Sequence, residues 1–168
     1  MAAYTEEARE AELSRLMTQY GDSIKRLCYI YLHSLSAAED AAQDTFIKSY
    51  QHIDDLLDGS IANEKAWILR IAVNTCKDEL RSSWMRHIDK RKTIDTLPLS
   101  VSFDHDSRID LTRAVWALPV KYRELVLLYY YQDLNLRTCA GILGISPATA
   151  TRRLQQAQKK LRTTLEGG

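Results

Sequence analysis

The chain has 168 residues, of which 45% are hydrophobic and 27% charged, with three prolines and six glycines. This composition allows one ordinary globular domain or two small ones, and the scarcity of turn-forming residues disfavours a β protein. The net charge is only +1, yet residues 1–88 hold 10 basic and 14 acidic residues, whereas residues 111–168 hold 9 basic and 3 acidic residues. A basic module suits nucleic acid, because neutralising phosphates releases counterions. Two solvated surfaces that differ by chance are the alternative.

Apolar residues recur at three- and four-residue steps through the first 35 positions, which predicts one amphipathic helix or a broken pair. They are Leu13, Leu16, Tyr20, Ile24, Leu27, Cys28, Tyr31 and Leu35. Ser36 is then the predicted N-cap of the next helix, with Glu39 completing a capping box. The polar side of that helix carries Glu39, Asp40, Gln43 and Asp44.

Residues Asp54–Lys65 break the helical periodicity, so we predict a loop there. A long helix is predicted from about Glu64 to Met85. Its apolar side comprises Leu69, Ala72, Val73, Cys76 and Leu80. Its polar side comprises Arg70, Asn74, Lys77 and Arg81, at spacings of four, three and four. These spacings place the four polar side chains along one face of the helix.

The polar stretch His87–Ser107 has no sustained period and contains a proline, which favours a linker. We therefore predict an all-α protein with a first domain at residues 1–88, a linker at 89–107 and a second domain at 108–168. The second domain begins with a helix that stops at Pro119 and continues with one from about Lys121. At helical spacing only one or two of the tyrosines at 129–131 share a face, and packing rather than an aromatic platform for nucleic acid is the predicted role.

The most specific local pattern lies between Asp133 and Leu161. Asn135 is a plausible N-cap, Gly144 suits the left-handed residue that ends a helix, Ser146 is a second N-cap and Pro147 suits the first helical position. The apolar sides are Leu136, Cys139, Ala140 and Leu143, then Ala150, Leu154, Ala157 and Leu161. This pattern predicts a helix-turn-helix, whose second helix enters the DNA major groove.

The predicted recognition helix gathers positive charge on the side away from its apolar residues. Arginine can read guanine and glutamine can read adenine, while Lys159, Lys160 and Arg162 lie further on and suit phosphates. The candidate DNA-contacting residues are Pro147, Ala148, Thr149, Thr151, Arg152, Arg153, Gln155, Gln156 and Lys159. An ordinary helical hairpin with a basic solvated face is the alternative, and the agreement of caps, turn and charge disfavours it.

The remaining residues argue against catalysis, a cofactor or a metal. The four histidines are scattered, and no phosphate-binding loop, nucleophile elbow or CxxC pair occurs. Cys28, Cys76 and Cys139 lie far apart in apolar patterns, so we predict three small core residues rather than disulfides. The acidic N-terminus is not a signal peptide, and no apolar run approaches the roughly 18 residues of a membrane span. We predict a cytoplasmic protein without direct membrane insertion.

Three segments, in this order, resemble the bacterial RNA polymerase sigma factors of the sigma-70 family, specifically the small extracytoplasmic-function (ECF) type. Ala37–Ile53 is similar to conserved region 2.2, Lys65–Arg81 to regions 2.3 and 2.4, and Glu124–Arg162 to region 4. The resemblance implies a non-catalytic promoter-specificity subunit. Such a subunit binds core polymerase, recognises the −35 and −10 elements and helps to melt the −10 region.

The resemblance also implies roles for particular residues. The β′ clamp helices of the polymerase would dock on Glu39, Asp40, Gln43, Asp44 and Lys48, for which a solvated acidic face is the alternative. A loop would hold a flipped-out base, and it comprises Asp58, Gly59, Ser60, Ile61, Ala62 and Asn63. The residues facing −10 DNA would be Trp67, Arg70, Asn74, Lys77 and Arg81, although Trp67 could equally belong to the core. Strand opening needs such a cationic track and a pocket for an extruded base.

The implied partners are core RNA polymerase, including its β subunit, promoter DNA and an anti-sigma factor, with a monomer as the free state. The chain departs from the family pattern at Thr151–Arg153, at Gln156 and Gln158, and at Arg137–Thr138, which bears on the −35 sequence that it reads. The alternative function is a stand-alone helix-turn-helix regulator with an N-terminal dimerisation or sensor domain. Such a regulator reads a palindrome as a dimer, and it needs no second polar track for DNA.

Overall fold

The structure is a computed structural model that describes residues 3–90 and 107–166, with side chains described outside 83–90 and 107–109. These ranges contain eight α-helices, one π-helical turn and no strand. The helices are α1 (Glu6–Leu32), α2 (Leu35–Gln51), α3 (Ile53–Leu57), α4 (Glu64–Lys90), α5 (Ser107–Ala117), α6 (Val120–Val126), α7 (Leu136–Leu143) and α8 (Pro147–Glu166), with the π-helical turn at Leu127–Tyr131. The predicted all-α class is confirmed, and residues 91–106 of the predicted linker lie outside the described ranges.

Helix α1 is one continuous helix, not a broken pair. The Thr5 hydroxyl accepts the N–H of Ala8 at 3.1 Å and begins it, and His33, with a φ of 65°, ends it in the left-handed region. Ser34 then caps α2 by accepting the N–H of Ala37 at 3.2 Å, so the prediction of Ser36 as N-cap was wrong. Because the chain turns at His33, Ser34 has the extended backbone of a cap, whereas Ser36 is already helical.

Helices α2 and α4 pack on α1 and complete the first bundle. The predicted loop at Asp54–Lys65 was wrong for residues 54–57, which form α3 because the buried Ile53 anchors that turn in the core. Residues 58–63 have no helix, as predicted. Helix α4 continues to Lys90 rather than ending near Met85. No glycine or proline interrupts residues 86–90.

The second bundle begins with α5, which ends before Pro119 as predicted. The following helix is α-helical only as far as Val126 and then widens into the π-helical turn, which the sequence pattern did not predict. This turn buries Leu127 and Leu128 but leaves Tyr130 50% and Tyr131 42% exposed. Packing is therefore confirmed only for Tyr129, which lies half-buried against the core.

The two bundles pack directly on each other. Helix α1 contacts α5, α6 and the π-helical turn, and α4 contacts α7. Cys28, Cys76 and Cys139 are free thiols with no exposed surface, which confirms their prediction as core residues. No helix within the described ranges is both long and apolar enough to cross a bilayer.

Candidate nucleic-acid interface

The predicted helix-turn-helix is present at α7 and α8, with each local signal in its expected role. Asn135 accepts the N–H of Thr138 at 2.8 Å and begins α7. Gly144 has a φ of 69°, and the N–H of Ile145 closes the turn onto the Ala140 carbonyl at 3.0 Å. The Ser146 hydroxyl accepts the N–H of Thr149 at 3.1 Å and begins α8. The turn is therefore built from backbone geometry and local side-chain caps, and the two helices also pack on each other.

Helix α8 packs on the second bundle through Ala150, Leu154 and Ala157, which are buried. Most of its candidate DNA-contacting residues lie on the exposed side: Pro147, Ala148, Thr151, Arg152, Gln155, Gln156 and Lys159, with Thr149 and Arg153 half-buried. The apolar stripe thus fixes which side of the helix is presented outward. Arg152 makes no ion pair with any described residue and is available to a base or a phosphate.

Helix α4 presents Arg70, Asn74 and Arg81 as exposed side chains along one face. Arg81 lies 3.8 Å from Asp78 in a solvent-exposed pair, which contributes little stability. Trp67 packs partly against the core and remains partly exposed, so it contributes to the core and also to the exposed face of α4. Lys77 differs from the others, because its Nζ lies 3.5 Å from the Glu124 carboxylate of the second bundle.

The loop at residues 58–63 is ordered by its own polar groups. Asp58 accepts the backbone N–H of Ser60 at 2.8 Å, and Gly59 takes a φ of 82°, which L side chains rarely adopt. Asn63 caps α4 by accepting the N–H of Ala66 at 3.0 Å, a cap that the sequence analysis missed although asparagine is a favoured N-cap residue. Five of its six residues are exposed, and Ile61 is half-buried.

Glu64 anchors the end of this loop to α1. The Arg15 guanidinium donates two hydrogen bonds to the Glu64 carboxylate, and Tyr20 donates a third at 2.7 Å. The hydrogen bond from Arg15 lowers the pKa of Glu64 below its usual value. Burial, followed by the contact with Glu64, raises the pKa of Tyr20 to about 12. A helix distant in sequence therefore positions the loop.

The acidic face predicted on α2 is exposed at Glu39, Asp40, Gln43 and Asp44. Lys48 does not point freely outward, since its Nζ is 3.5 Å from Asp44 and donates to the Thr75 hydroxyl at 3.1 Å.

Two exposed apolar side chains flank this acidic face, and the sequence analysis did not select them. Ile47 is 58% and Met17 is 51% exposed, and both line a cleft between α1 and α2. Each directly follows a buried apolar residue, Leu16 or Phe46, and is therefore turned about 100° away from it around the helix, which was the available signal. The surface thus combines carboxylates with exposed apolar side chains.

The seam between the two bundles centres on Glu124. This carboxylate is 5% exposed, and the fully buried Tyr31 hydroxyl donates to it at 2.5 Å. Burial and the neighbouring Glu124 raise the pKa of Tyr31 above its usual range. Arg123 donates to the carbonyls of Tyr31 at 2.7 Å and Trp116 at 2.9 Å. Lys77 of the candidate −10 face therefore enters a network that spans both bundles.

Some buried polar groups of the seam lack hydrogen-bond partners. Among the described residues, three buried side-chain nitrogens lack a hydrogen-bond partner: His33 Nε2, Trp116 Nε1 and Arg123 Nε. All three belong to residues of this seam, and the His33 ring stands edge-on to Trp116 with centroids 4.5 Å apart. Burial, followed by the Arg123 charge, lowers the pKa of His33 to about 4. Unpaired buried polar groups cost free energy, so these three nitrogens weaken the contact between the bundles.

Comparison with known proteins gives matches to two family models. Residues 16–86 match Sigma-70 region 2, and residues 108–161 match Sigma-70, region 4. Together these matches cover 125 of the 168 residues.

Similar curated proteins include the RNA polymerase sigma factor SigV of Bacillus subtilis, 28% identical over 93% of this chain and 92% of that protein. The ECF RNA polymerase sigma factor SigL of Mycobacterium tuberculosis is 28% identical over 95% of this chain and 92% of that protein. These alignments run through both bundles.

Two solved structures share the fold. The sigma factor RpoE in complex with the anti-sigma factor NepR from Bartonella quintana superposes with a TM-score of 0.74 at 21% identity, over 91% of this chain and 96% of that chain. CnrH in complex with the cytosolic domain of CnrY gives a TM-score of 0.66 at 19% identity, over 92% of this chain and 88% of that chain. The arrangement of helices described above is thus one that occurs in known structures.

Proposed function

This chain belongs to the sigma-70 family, and from that premise we propose how its two bundles divide the work of a promoter-specificity subunit of bacterial RNA polymerase. The subunit binds core enzyme, directs it to promoters and supports initiation. It acts by binding, without covalent chemistry of its own, and in the cytoplasm, where bacterial RNA polymerase works. The observation that carries this proposal is the match of both bundles, in order, to the two sigma-70 regions.

The first bundle docks on core polymerase and handles the −10 element. The carboxylates of α2, together with the exposed Ile47 and Met17, form the surface that binds the β′ clamp helices. The loop at residues 58–63 receives a flipped base, and Trp67, Arg70, Asn74, Lys77 and Arg81 face the melted strand. This assignment is supported by the exposure of Arg70, Asn74 and Arg81 along one face of α4.

The second bundle reads the −35 element through α8. Its N-terminal turns carry Pro147 to Arg153, and helix-turn-helix proteins contact base edges with these turns. The division of the chain at residues 1–88, 89–107 and 108–168 follows from these two roles. The partner that holds the subunit inactive is an anti-sigma factor; the sigma factor RpoE, which shares the fold, is solved in complex with one, NepR.

The closed packing of the bundles has a consequence for promoter reading. Boxes centred near −35 and −10 are separated by about 25 base pairs, or about 85 Å of B-form DNA. A compact chain of 168 residues has a radius of gyration of only about 15 Å. The two bundles must therefore separate along their seam before both boxes can be engaged, which releases Lys77 from Glu124.

The proposal is tested with purified core polymerase that lacks any sigma factor. We expect tight binding, followed by run-off transcription at new start sites from a genomic promoter pool. Alignment of those sites gives both boxes. Failure to bind core polymerase, together with dimeric binding to a palindrome, would show a conventional regulator instead.

A paired set of variants tests the docking surface. Asp40→Lys with Asp44→Lys should weaken binding to core polymerase, because the charge of the docking face reverses. Glu7→Lys with Glu10→Lys makes the same charge change on exposed residues of α1 and should leave core affinity near wild type. Equal affinities for the two double variants would contradict the docking assignment.

A further inference from the structure

A cationic cleft lies between α6 and the recognition helix, α8. Its lining includes Leu118, Pro119, Tyr122, Gln156, Lys159 and Lys160. None of these lining residues is acidic. Lys159, Lys160 and the neighbouring Lys121 form no ion pair with any residue in the described ranges. Within residues 3–90 and 107–166, no carboxylate therefore neutralises the positive charge of the cleft.

Tyr122 organises this cleft, although the sequence analysis gave it no role. Its side chain is 7% exposed, and its hydroxyl donates to Gln156 Oε1 at 2.6 Å. Lys121 and Lys160 place their ammonium groups 5.1 Å and 5.7 Å from its ring centroid. Both distances fall within the roughly 6 Å range of a cation–π contact. One buried ring thus holds two lysines and one amide in fixed relation.

The hydrogen bond from Tyr122 changes what Gln156 can recognise. A glutamine reads adenine with its carbonyl as acceptor and its amide as donor, but here the carbonyl oxygen already accepts the Tyr122 hydroxyl, which uses one of its two lone pairs and directs it towards the protein. The Nε2 group keeps its donor hydrogens. The carbonyl oxygen keeps one lone pair, but the Nε2 hydrogens and the two ammonium groups make the set cationic and mostly donating, which suits an anion such as a phosphodiester.

The position of the cleft along α8 fits the DNA backbone rather than the bases. Arg152, Gln156 and Lys160 follow one another at intervals of four, so they lie in a row on one side of the helix. Lys160 is about 12 Å beyond Arg152 at a rise of 1.5 Å per residue, and the major groove is about 12 Å wide. When Arg152 reaches a base edge, Lys160 lies at the border of the groove, where the phosphates are.

We propose that Lys121, Gln156 and Lys160, held together by Tyr122, form a clamp for a backbone phosphodiester next to the −35 element. This inference rests on the proposed function of α8. The clamp contributes affinity and fixes the position of the helix, whereas the preceding turns supply sequence discrimination. Tyr122 is a positioning residue, and Lys121, on α6, extends the DNA surface beyond the helix-turn-helix.

The test measures binding of holoenzyme to promoter duplexes that carry either the matched or a scrambled −35 box, at salt concentrations from 50 to 200 mM. Lys121→Gln and Lys160→Gln should each weaken binding to both duplexes by the same factor. Each should also reduce the slope of log Kobs against log salt by about 0.9. The ratio of the wild-type to the variant binding constant should therefore fall roughly 3.5-fold between 50 and 200 mM salt.

Two controls separate failure of the clamp from failure of the proposed function. Arg26→Gln removes one exposed charge from α1, outside the cleft, and should leave the slope unchanged. Arg152→Ala should lower the affinity for the matched duplex more than the affinity for the scrambled duplex. If Arg152→Ala discriminates but the lysine variants keep the wild-type slope, the clamp is refuted and α8 still reads DNA. If Arg152→Ala does not discriminate, the −35 role of α8 fails.

A double-mutant cycle tests Tyr122 itself. Tyr122→Phe keeps the ring and its burial but loses the hydroxyl, so it should weaken binding equally on both duplexes. Its effect should vanish in a Gln156→Ala background, because the hydroxyl acts through that amide. A loss that persists in this background, or one confined to the matched duplex, would overturn the role of Tyr122 as a support for phosphate binding.

Discussion

Replacement of Glu124 should favour separation of the two bundles. The contacts of the seam give the size of the expected shift between closed and open molecules. In Glu124→Ala the Tyr31 hydroxyl, which has no exposed surface, loses the one acceptor that it has among the described residues, at 2.5 Å. An unsatisfied buried hydroxyl costs about 1 to 3 kcal/mol. The cost falls on the closed form alone, because water can bind Tyr31 once the bundles separate. The ratio of open to closed molecules should therefore rise roughly 5- to 150-fold.

Glu124→Gln provides the graded comparison. The amide oxygen still accepts the Tyr31 hydrogen bond, so only the ion pair with Lys77 is lost. That pair is partly exposed on its lysine side, and such pairs contribute up to about 1 kcal/mol. The open fraction should then rise by about fivefold at most. The two substitutions thus distinguish the hydrogen bond from the charge.

The assay combines small-angle scattering with binding of a nontemplate oligonucleotide from a promoter that the holoenzyme uses. Lys77 is released from Glu124 only in the open form, so that form should bind more tightly and the apparent Kd should fall as the open fraction rises. Glu124→Ala should show the larger radius of gyration and the tighter binding. Glu10→Ala, an exposed carboxylate on α1, should match wild type in both. Unchanged scattering and affinity in Glu124→Ala would refute the reasoning that the seam opposes promoter binding.

Three further predictions concern the turn, the seam and the loop. Gly144→Ala should destabilise the second bundle by about 1 to 2 kcal/mol, because an L residue is strained in the left-handed region. Gly141→Ala, in the interior of α7 with open space around the added Cβ, should instead stabilise it by about 0.5 to 1 kcal/mol, and thermal melts compare the two. His33 is held neutral with a pKa of about 4, so the unfolded chain binds its proton first and stability should fall as pH drops from 6.5 towards 4. His33→Asn should remove that part of the pH dependence in urea titrations, whereas an unchanged profile would exclude His33 as its source. Glu64→Gln should weaken the hydrogen bonds that hold the end of the loop to α1. Promoter opening should then slow while initial promoter binding stays unchanged. Permanganate reactivity of the melted DNA equal to that with wild type would contradict a role for this anchor.

Local rules accounted for the helix-turn-helix because every signal in it acts within a few residues. Asn135, Gly144 and Ser146 each satisfy or redirect backbone groups of their own turn, so their roles do not depend on distant packing. Local rules gave the wrong residue where two nearby side chains could both act as the N-cap. Ser34 and Ser36 are both good caps, and the left-handed turn at His33 chose between them.

Helical periodicity and local capping were enough to predict the all-α class, the apolar faces of the helices and the exposed basic face of α8. Which polar side chains are engaged within the protein became visible only in the packed fold. Lys77 meets Glu124 from another bundle, and Gln156 meets Tyr122 from another helix, 34 residues away. Periodicity assigns a side chain to a face but not to a partner. A long-range hydrogen bond or ion pair depends on how the helices pack, and that packing sets the charge and donor groups each surface can offer to DNA.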